Sequence, residues 1–564
     1  MSNHCKEQIL SEDYFDFNIE YNSTFTAEMT DPNICYTTIN NTFSVAHVPN
    51  SLVTPNLIQT FGYRIYPSCL GLLDIGSIEA SNITRVRGIP TLNLLGRGVL
   101  IGIIDTGIEY THNAFRYADG TSKIASIWDQ TIQSDSTPGD FSYGTEYLQT
   151  QINEALQNEN PLSIVPSTDT DGHGTFLAGI AAGMRDDSNN FTGVAPDSEL
   201  LVVKLKQAKN NIRDFYLISH EVTCFQDNDI MLGVEYLHRK AIELQRPIAI
   251  CLGLGTSLGS HDGRAILSRY LSSVADQNGV ALVIAGGNEG NTGHHFFGEV
   301  TSAEDFETVE LRVGPNELGF TMQLWGRPPN TYSIDILSPT GEYIPRIPAR
   351  LGESRVIRFV FEQTIINIDY FLVESQTGDE LILMRFQQPT EGIWRFRVYT
   401  NLDIDSSFHI WLPLSNFTSE GTSFTSSNPD TTLTEPANAL VPIVVTAYNY
   451  TNQNLYINNS RGFTRDNRFH PDFVAPGVNL IGPALQNGYT TRSGTSIAAA
   501  HTAGVSALLL EWGLVNNNFV RLDSVEIDNF LKRGARRDPS VTYPSTSWGF
   551  GILDLFNTFN SFRE

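Results

Sequence analysis

The sequence has no run of eighteen apolar residues, the length that a membrane-spanning helix needs. Its start, MSNHCKEQILSEDYFDFNIEYN, has no basic stretch followed by an apolar one, so we expect no signal peptide for Sec export. Cysteine is scarce. The five residues are odd in number and scattered: Cys5, Cys35, Cys69, Cys224 and Cys251. This pattern predicts neither a disulfide framework nor a metal site, and it suits a reducing compartment.

Basic residues are also few, with 36 Lys and Arg against 62 Asp and Glu, and the net charge is −26. A surface this acidic repels phosphates, which argues against a nucleic-acid partner. The composition, with 41% apolar and 17% charged residues, is typical of a soluble globular protein. At 564 residues we expect two or three domains.

The pattern of the chain changes four times. Residues 1–30 are acidic and without periodicity, which indicates a loose tail, and residues 35–73 predict a small strand-helix-strand unit. From about 95 to 290, apolar strands such as GVLIGIID and GVALVIAGG alternate with helical stretches, as in a parallel α/β sheet. From about 300 to 425, eight short alternating strands predict a β-sandwich of the jelly-roll kind. PIVVTAYN and HPDFVAPG then return to the α/β pattern, so one domain is inserted in another.

Four polar residues stand at strand ends or helix starts of the predicted sheet. Asp105 ends one strand and Asn288 follows another inside a glycine turn. His173 lies between two glycines at the head of a helix, and Ser496 opens the apolar helix of GTSIAAAHTAGVSALLLEW. Singly, each has a structural explanation, such as a turn former or a helix cap. Together they supply what acyl transfer needs: a nucleophile, a base, a carboxylate and an oxyanion donor.

The order Asp, His, Asn, Ser, carried by DTG, HGT, GGNEG and GTSIA, resembles the subtilisin-type serine proteases (subtilases) over residues 95–295 and 430–564. The resemblance implies an α/β fold with a parallel sheet and helices on both faces. It implies a serine endopeptidase with Ser496 as nucleophile and His173 as general base and then acid. Asp105 would orient His173, and Asn288 would donate to the oxyanion beside the Ser496 backbone N–H.

Three positions depart from the pattern common in that family. Phe176 stands where a second His often follows HGT, Ile497 replaces the usual Met after the nucleophile, and Ala500 stands where Pro is common. None of the three positions has a proton-transfer role, so the prediction of an enzyme is unchanged.

A closer resemblance narrows the family. IDTGIEYTHNAFRYADGTSKIASIWDQTI, GSHDG and GTSIAAAHTAGV, with the β-rich insertion, are similar to the Csp germination proteases of spore-forming anaerobic bacteria. This implies a protease that cuts its own prodomain, can keep it bound, and cleaves the precursor of a spore-cortex hydrolase. It also implies a location in the mother-cell cytoplasm and then in the spore, at the cortex or coat. Two alternatives stay open: a general bacterial subtilase with no spore role, and a non-catalytic scaffold or signalling member.

On this resemblance we divide the chain into four ranges. They are 1–75 for the acidic tail and prodomain, 76–299 and 426–564 for the two parts of the subtilase domain, and 300–425 for the inserted jelly roll. The prodomain junction is predicted near Gly76, within the window from Cys69 to Ala80. By alignment with the family, Leu254 and Gly255 would line the P1 pocket and face Ala285 and Gly286. A peptide substrate would then pair there as an added edge strand.

Cofactors are not expected, apart from one candidate for structural calcium. Residues 185–193, RDDSNNFTG, carry oxygens where some subtilases bind that ion, although a solvated turn is the favoured interpretation. In HHFFGE, His294 and His295 lie beside Glu299, and we interpret them as loop residues rather than metal ligands.

Overall fold

The computed structural model describes residues 4–20, 34–54, 57–72, 81, 85–86, 92–301, 303–402 and 404–562. They form a mostly parallel central sheet with helices on both faces, an antiparallel two-sheet insert and a small N-terminal sheet. The fold class predicted from the sequence is confirmed. The predicted junction near Gly76 falls in residues 73–80, outside the described part of the chain.

The N-terminal segment folds against the α/β domain. Its elements are α1 (His4–Leu10), β1 (Tyr14–Glu20), β2 (Cys35–Thr38), β3 (Phe43–Pro49) and α2 (Leu57–Phe61). The three strands pair antiparallel in the order β1-β3-β2.

The expectation of a loose tail is therefore wrong for residues 4–20. Phe17 is fully buried in β1, and Asp16 beside it is fully buried as well. Asp16 accepts hydrogen bonds from His47 Nδ1 and from Lys209 Nζ of the α/β domain, both at 2.7 Å. The carboxylate of an acidic stretch thus anchors the segment, because a buried charge is tolerated only where it is paired.

Cys5 of α1 and Cys35 of β2 form a disulfide, with Cα atoms 5.6 Å apart. The sequence predicted no disulfide, because the count is odd and the spacing irregular; the pair arises where α1 packs on β2. Cys69, Cys224 and Cys251 are buried and reduced.

Eight strands form the central sheet. They are β5 (Leu100–Asp105), β6 (Ile124–Asp129), β7 (Thr145–Leu148), β8 (Glu199–Lys204), β10 (Ile248–Leu252), β12 (Val280–Ala285), β24 (Ile443–Tyr448) and β25 (Phe473–Pro476). Their order is β25-β24-β12-β10-β5-β8-β6-β7, and only β6 and β7 pair antiparallel. In β5, Ile101 and Ile103 enter one core while Leu100 and Ile104 enter the other. Burial on both faces explains why these strands are continuously apolar.

Helices cover both faces of this sheet. They are α3 (Gln149–Leu156), α4 (His173–Ala182), α5 (Asn210–Tyr216), α6 (Asp227–Glu243), α7 (Ile266–Ala275), α8 (Thr495–Leu510), α9 (Ser524–Gly534) and α10 (Leu555–Ser561). Single 3₁₀ turns lie at Asn50–Leu52, Tyr63–Ile65, Asn113–Phe115, Pro161–Ser163 and Ser415–Phe417. α4 and α8 contribute to one core, and α6 and α7 to the other.

The helix α8 continues as a π-helical turn, Glu511–Val515. By length and composition, Thr495–Val515 is the one helix in the described part of the chain that could cross a membrane. Its apolar window is 89% buried within the fold, so it serves here as a core helix.

The insert consists of two antiparallel sheets on a shared core. Its strands are β13 (His295–Val300), β14 (Phe306–Val313), β15 (Gly319–Gly326), β16 (Tyr332–Leu337), β17 (Tyr343–Ile347), β18 (Ser354–Arg358), β19 (Ile365–Phe371), β20 (Glu380–Gln387), β21 (Gly392–Thr400), β22 (Ser406–Trp411) and β23 (Ser423–Phe424). The orders are β13-β22-β15-β20-β19-β18 and β17-β16-β21-β14-β23. The sequence predicted eight strands and missed β13, β17 and β23. β17 is a mostly exposed strand with an internal Pro345, and β23 has only two residues.

Two small sheets complete the fold. β26 (Leu480–Ala484) and β27 (Gly488–Arg492) form a hairpin that precedes α8. β4 (Cys69–Leu72) lies between β11 (Leu254–Gly255) and β9 (Phe225–Gln226), and it pairs antiparallel with both.

Candidate active site

The end of β5 and the start of α4 bring Asp105 and His173 into contact. His173 Nδ1–H donates to Asp105 Oδ1 at 2.7 Å, and the same oxygen accepts from the Thr106 backbone N–H at 2.8 Å. Both side chains are fully buried. A carboxylate can only accept here, so it holds the imidazole in the tautomer whose Nε2 carries the lone pair.

Local backbone chemistry fixes the start of α4. Gly172, the residue before His173, has a φ of 88°, in the left-handed region that favours glycine. Asp169 accepts from the backbone N–H groups of Gly172 and Thr175, both at 2.9 Å. The carboxylate therefore satisfies donors that have no partner within the helix.

The first turn of α8 brings Ser496 to the same point. Its Oγ lies 3.2 Å from His173 Nε2, and the side chain is fully buried. Gly253 lies against both residues, because a Cβ there would be 3.0 Å from Ser496 Cβ and 3.4 Å from His173 Cε1. The predicted Asp, His and Ser thus form one continuous chain of contacts, at a helix start whose dipole favours negative charge.

The amide of Asn288 is oriented by Thr495. Asn288 Oδ1 accepts from the Thr495 backbone N–H at 3.2 Å and from its hydroxyl at 3.1 Å. A backbone N–H must face the amide oxygen, so the Asn288 NH₂ is directed away from Thr495. The Thr495 hydroxyl also accepts from the Gly287 N–H at 3.1 Å. Sequence reasoning did not assign this role to Thr495, although the residue is part of the GTS motif.

The predicted substrate strand, Leu254–Gly255, is paired with the chain's own N-terminal segment. Leu72 lies opposite Leu254 and Gly71 opposite Gly255, while Leu70 lies opposite Phe225 on the other side. The segment therefore occupies the middle of a three-stranded sheet, in the manner of an added peptide strand.

Ala285 and Gly286 were predicted to form the other wall of the P1 pocket. Thr434 lies between them and the strand Leu254–Gly255. The Thr434 backbone N–H donates to the Gly286 carbonyl at 3.0 Å. A Cβ on Gly255 would lie 2.9 Å from Thr434 Cβ, and a Cβ on Gly287 would lie 2.7 Å from Thr434 Cγ2. The side chain of Thr434 thus fills the space between the walls. No sequence motif marks Thr434, and 148 positions separate it from Gly286.

Two buried carboxyl groups lie beside this cleft. Asp227 directly follows β9, and its carboxylate accepts from Asn18 Nδ2 of the N-terminal segment at 2.8 Å. Glu435 directly follows Thr434 and accepts from Ser268 Oγ at 2.6 Å. Burial raises the pKa of each to about 7.

The weaker candidates lie away from this centre. In residues 185–193, Asp186 Oδ1 accepts from the Ser188 N–H at 3.0 Å. Within the described ranges no group of three or more His, Cys, Asp or Glu side chains could hold a metal ion.

The interpretation of the two neighbouring histidines as loop residues is wrong for His295. His295 is the first residue of β13, which pairs with β22. In that register His295 lies opposite Trp411, and their ring centroids are 4.9 Å apart. The two ring nitrogens of His294 form hydrogen bonds with the carbonyl oxygens of Pro413 and Thr422, at 2.6 and 3.0 Å. Glu299 lies in the same strand and is exposed.

The comparisons with known proteins agree with this geometry. The model of the subtilase family (peptidase S8) matches residues 96–310 and 415–551, so the chain belongs to the subtilase family of serine peptidases. The solved structure of the CspB protease of Clostridium perfringens is similar with a TM-score of 0.76 and 32% identity. It covers 85% of this chain and 97% of that one.

Curated relatives are more distant. The PII-type proteinase of Lactococcus lactis subsp. cremoris is 25% identical over 80% of this chain, which spans only 25% of that proteinase's length. A subtilisin from Bacillus sp. (strain TA39) is 25% identical over 37% of each chain.

Proposed function

We propose that the protein is a serine endopeptidase that uses Ser496 as its nucleophile. One observation carries the proposal: Asp105, His173 and Ser496 are joined by contacts of 2.7 and 3.2 Å, in a buried site beside the strand β11, which pairs with the chain's own β4. The intact triad favours an enzyme over a non-catalytic scaffold.

The chemistry follows from the positions of the atoms. Ser496 Oγ attacks the substrate carbonyl while His173 Nε2 takes its proton, and Asp105 stabilises the imidazolium that results. The Asn288 amide and the Ser496 backbone N–H donate to the oxyanion, where their effect is larger than in the ground state. His173 then returns the proton to the leaving amine, and a water molecule repeats the sequence on the acyl-enzyme.

We further propose that the enzyme cuts its own N-terminal segment and retains it. The antiparallel register of β4 on β11 supports this, since Leu72 pairs with Leu254 and the neighbouring Gly253 lies against Ser496 and His173. The strand β4 thus runs toward the nucleophile and ends at Leu72. The strand contacts remain after cleavage, so the fragment would act as a product inhibitor.

For the physiological role we propose germination: cleavage of the precursor of a spore-cortex hydrolase by an enzyme stored in the spore. The similarity to the CspB protease over nearly the whole of that chain supports this proposal. A general bacterial subtilase without a spore role is the alternative.

Labelling with a fluorophosphonate probe tests the catalytic proposal. The probe should attach to Ser496, as located by mass spectrometry, and labelling should be lost in Ser496→Ala. Ser506→Ala is the matched control, because Ser506 lies on the same helix and its hydroxyl has no hydrogen-bond partner among the described residues. A folded wild-type protein that resists the probe, even after the N-terminal fragment is removed, would favour the scaffold.

A second experiment tests the role in germination. Purified enzyme is incubated with the inactive precursor of a cortex hydrolase, and cortex degradation is measured. We expect one cleavage and a gain of hydrolase activity, both absent with Ser496→Ala. An enzyme that labels with the probe and cuts itself, but leaves the precursor intact, would support the general subtilase instead.

A further inference from the structure

One cavity lies where the N-terminal segment, the α/β domain and the insert meet. Its volume is about 40 Å³, and all three parts of the chain contribute to its wall. The N-terminal segment contributes Ser68, the α/β domain contributes Asp227 and Glu435, and the insert contributes Trp325 and Glu374. A side chain on the N-terminal segment therefore lies close to acidic groups of the other two parts.

Ser68 directly precedes β4 and continues its pairing with β9. Cys69 lies opposite Gln226 in the antiparallel register of the two strands. One step further, the Asp227 backbone N–H donates to the Ser68 carbonyl at 3.1 Å. The register thus places Ser68 opposite Asp227. Because directly opposite residues have Cβ atoms about 5 Å apart, the side chain at the position of Ser68 lies beside the Asp227 carboxyl group.

The carboxyl groups of Asp227 and Glu435 receive hydrogen bonds from neutral donors. Both residues are 4% exposed. Asp227 accepts from the Asn18 amide at 2.8 Å, and Glu435 Oε2 accepts from the Ser268 hydroxyl at 2.6 Å. Glu435 Oε1 has no hydrogen-bond partner within the described ranges. Burial of a carboxylate without an opposite charge is unfavourable, which is why the pKa of both groups is raised.

The other charged groups near the cavity do not neutralise these two carboxyl groups. The charge of Arg468 favours ionisation of Glu435, but its guanidinium bonds to two backbone carbonyl oxygens at 2.7 and 2.8 Å. Arg64 of the N-terminal segment lines the cavity and is partly exposed, so it shares its charge with solvent. Glu374 accepts from two backbone N–H groups of its own turn. The cavity is therefore suited to a further positive charge.

We propose that Asp227 and Glu435 form a subsite for a lysine or arginine side chain of the peptide strand that lies between β9 and β11. The inference rests on the proposed function, because it requires a substrate to follow the path of the N-terminal segment. The subsite takes the residue at the register of Ser68, four positions before Leu72, where β4 ends. A long cationic side chain at that position reaches the two carboxyl groups. Substrates are thus selected in part by a basic residue upstream of the cleaved bond.

The chain's own segment has a short, neutral side chain at this register, that of Ser68. It keeps the strand pairing with β9 and β11 but leaves the carboxyl groups of the subsite without a cation. A substrate with lysine at the same register makes the strand pairing and the charge interaction. Such a substrate therefore competes better for the cleft than the cleaved fragment does.

Competition between two peptides tests the preference. Both peptides have the sequence of residues 66–80, with lysine in one and norleucine in the other at the position of Ser68. Norleucine is of similar length and carries no charge. Processed enzyme is incubated with an equal mixture, and mass spectrometry follows the loss of each peptide. We expect the lysine peptide to be consumed about tenfold faster, because a hydrogen bond to a charged group is strong in a buried site. Equal rates would overturn the proposal.

Two variants that remove the charges locate the preference. In Asp227→Asn and in Glu435→Gln, the ratio of the two rates should fall toward one, since each change removes one carboxylate of the cavity. Asp276→Asn makes the same change at an exposed position and should keep the wild-type ratio. A wild-type ratio in both Asp227→Asn and Glu435→Gln would overturn the proposal, because the cation would then be bound elsewhere.

Thermal unfolding of the uncut chain gives a test that needs no catalysis. In the Ser496→Ala background, Ser68→Lys and Ser68→Met introduce side chains of similar length at the subsite. We expect Ser68→Lys to melt about 2 °C higher than Ser68→Met, and the difference to shrink when Glu435→Gln is added. Ser68→Lys with no advantage over Ser68→Met would overturn the subsite. Wild-type enzyme that cuts neither peptide, with the advantage of Ser68→Lys intact, would support the subsite and count against the proposed function alone.

Discussion

Gly174 and Asp105 are in direct contact across the active site: a Cβ built on Gly174 would lie 3.0 Å from the Cβ of Asp105. The same atom would collide with the backbone carbonyl of Gly107, two residues after the end of β5. The residue after His173 therefore has to be glycine if α4 is to lie close enough for the His173–Asp105 bond of 2.7 Å.

Gly174→Ala should separate this pair. The methyl group forces α4 away from β5, which we expect to cost about 1–3 kcal/mol of stability through overpacking. A shift of about 1 Å in His173 should lower kcat/KM by about 10²-fold. Peptide hydrolysis and thermal unfolding measure the two effects. In the control, Gly233→Ala in α6, the Cβ meets only side chains at 3.3 Å or more and no backbone atom, so kcat/KM should stay near wild type. Wild-type kinetics in Gly174→Ala would contradict the packing argument.

Asn288→Ala should slow turnover by about 10²–10³-fold with little change in KM, because the donor acts mainly in the transition state. Thr495→Val should give a smaller loss, since it removes the hydroxyl that bonds to Asn288 Oδ1 but keeps the backbone N–H. Steady-state kinetics with a peptide ester measures both. A loss below about threefold in Asn288→Ala would mean that the oxyanion donor has been misassigned.

Thr434→Gly should change the preference for the P1 side chain. Removing the side chain opens the space between Gly255 and Gly287, so we expect longer side chains to gain in kcat/KM relative to short ones. Cleavage of a peptide library, compared with wild type, measures the shift. Thr432→Gly, two residues earlier in the same segment, is the control and should leave the profile unchanged. An unaltered profile in Thr434→Gly would place the P1 pocket elsewhere.

Acid should weaken the contact between the insert and the α/β domain. His261 stacks on Trp411 at 4.0 Å, and burial lowers its pKa to about 4; burial also lowers the pKa of His295 to about 3. Both folded-state pKa values lie below the 6.5 of a free histidine, so in acid the unfolded chain binds more protons than the folded one. Stability is therefore lost from about pH 6.5 down to the folded-state pKa, which is about 4 for His261. Between pH 7.5 and 5 we expect a loss of about 2 kcal/mol per histidine.

Urea unfolding of wild type and His261→Phe at pH 7.5 and 5 isolates one histidine. Phe keeps the stack but cannot titrate, so the difference between the two pH values should shrink by about that amount. Glu435, whose pKa is raised, titrates equally in both proteins. His220 is exposed and serves as the control in His220→Gln. Equal pH dependence in wild type and His261→Phe would contradict the burial argument.

The central sheet could be predicted because each strand is a continuous apolar run. The site could be predicted because DTG and GGNEG follow such strands, while HGT and GTSIA begin helices. What could not be predicted depends on contacts between distant residues. Asp16 belongs to an acidic stretch that predicts a solvated tail, and its burial depends on His47 and Lys209, which are 31 and 193 positions away. Thr434 belongs to no motif. The insert separates it from Gly286 by 148 positions, so the sequence does not indicate that it lies in the cleft. β13 was not predicted because it begins with a polar residue, His295, and because its partner strand, β22, is distant in the sequence.

The intact mass of the purified chain tests the central claim most directly. Wild-type protein, reduced and denatured, should give a new N-terminus shortly after Leu72 and a fragment of roughly 8 kDa out of 62.5 kDa. Ser496→Ala should give one full-length mass, and Ser506→Ala should be cut like wild type. Equal processing in Ser496→Ala and wild type would contradict the account, because the cut would then not depend on the proposed nucleophile.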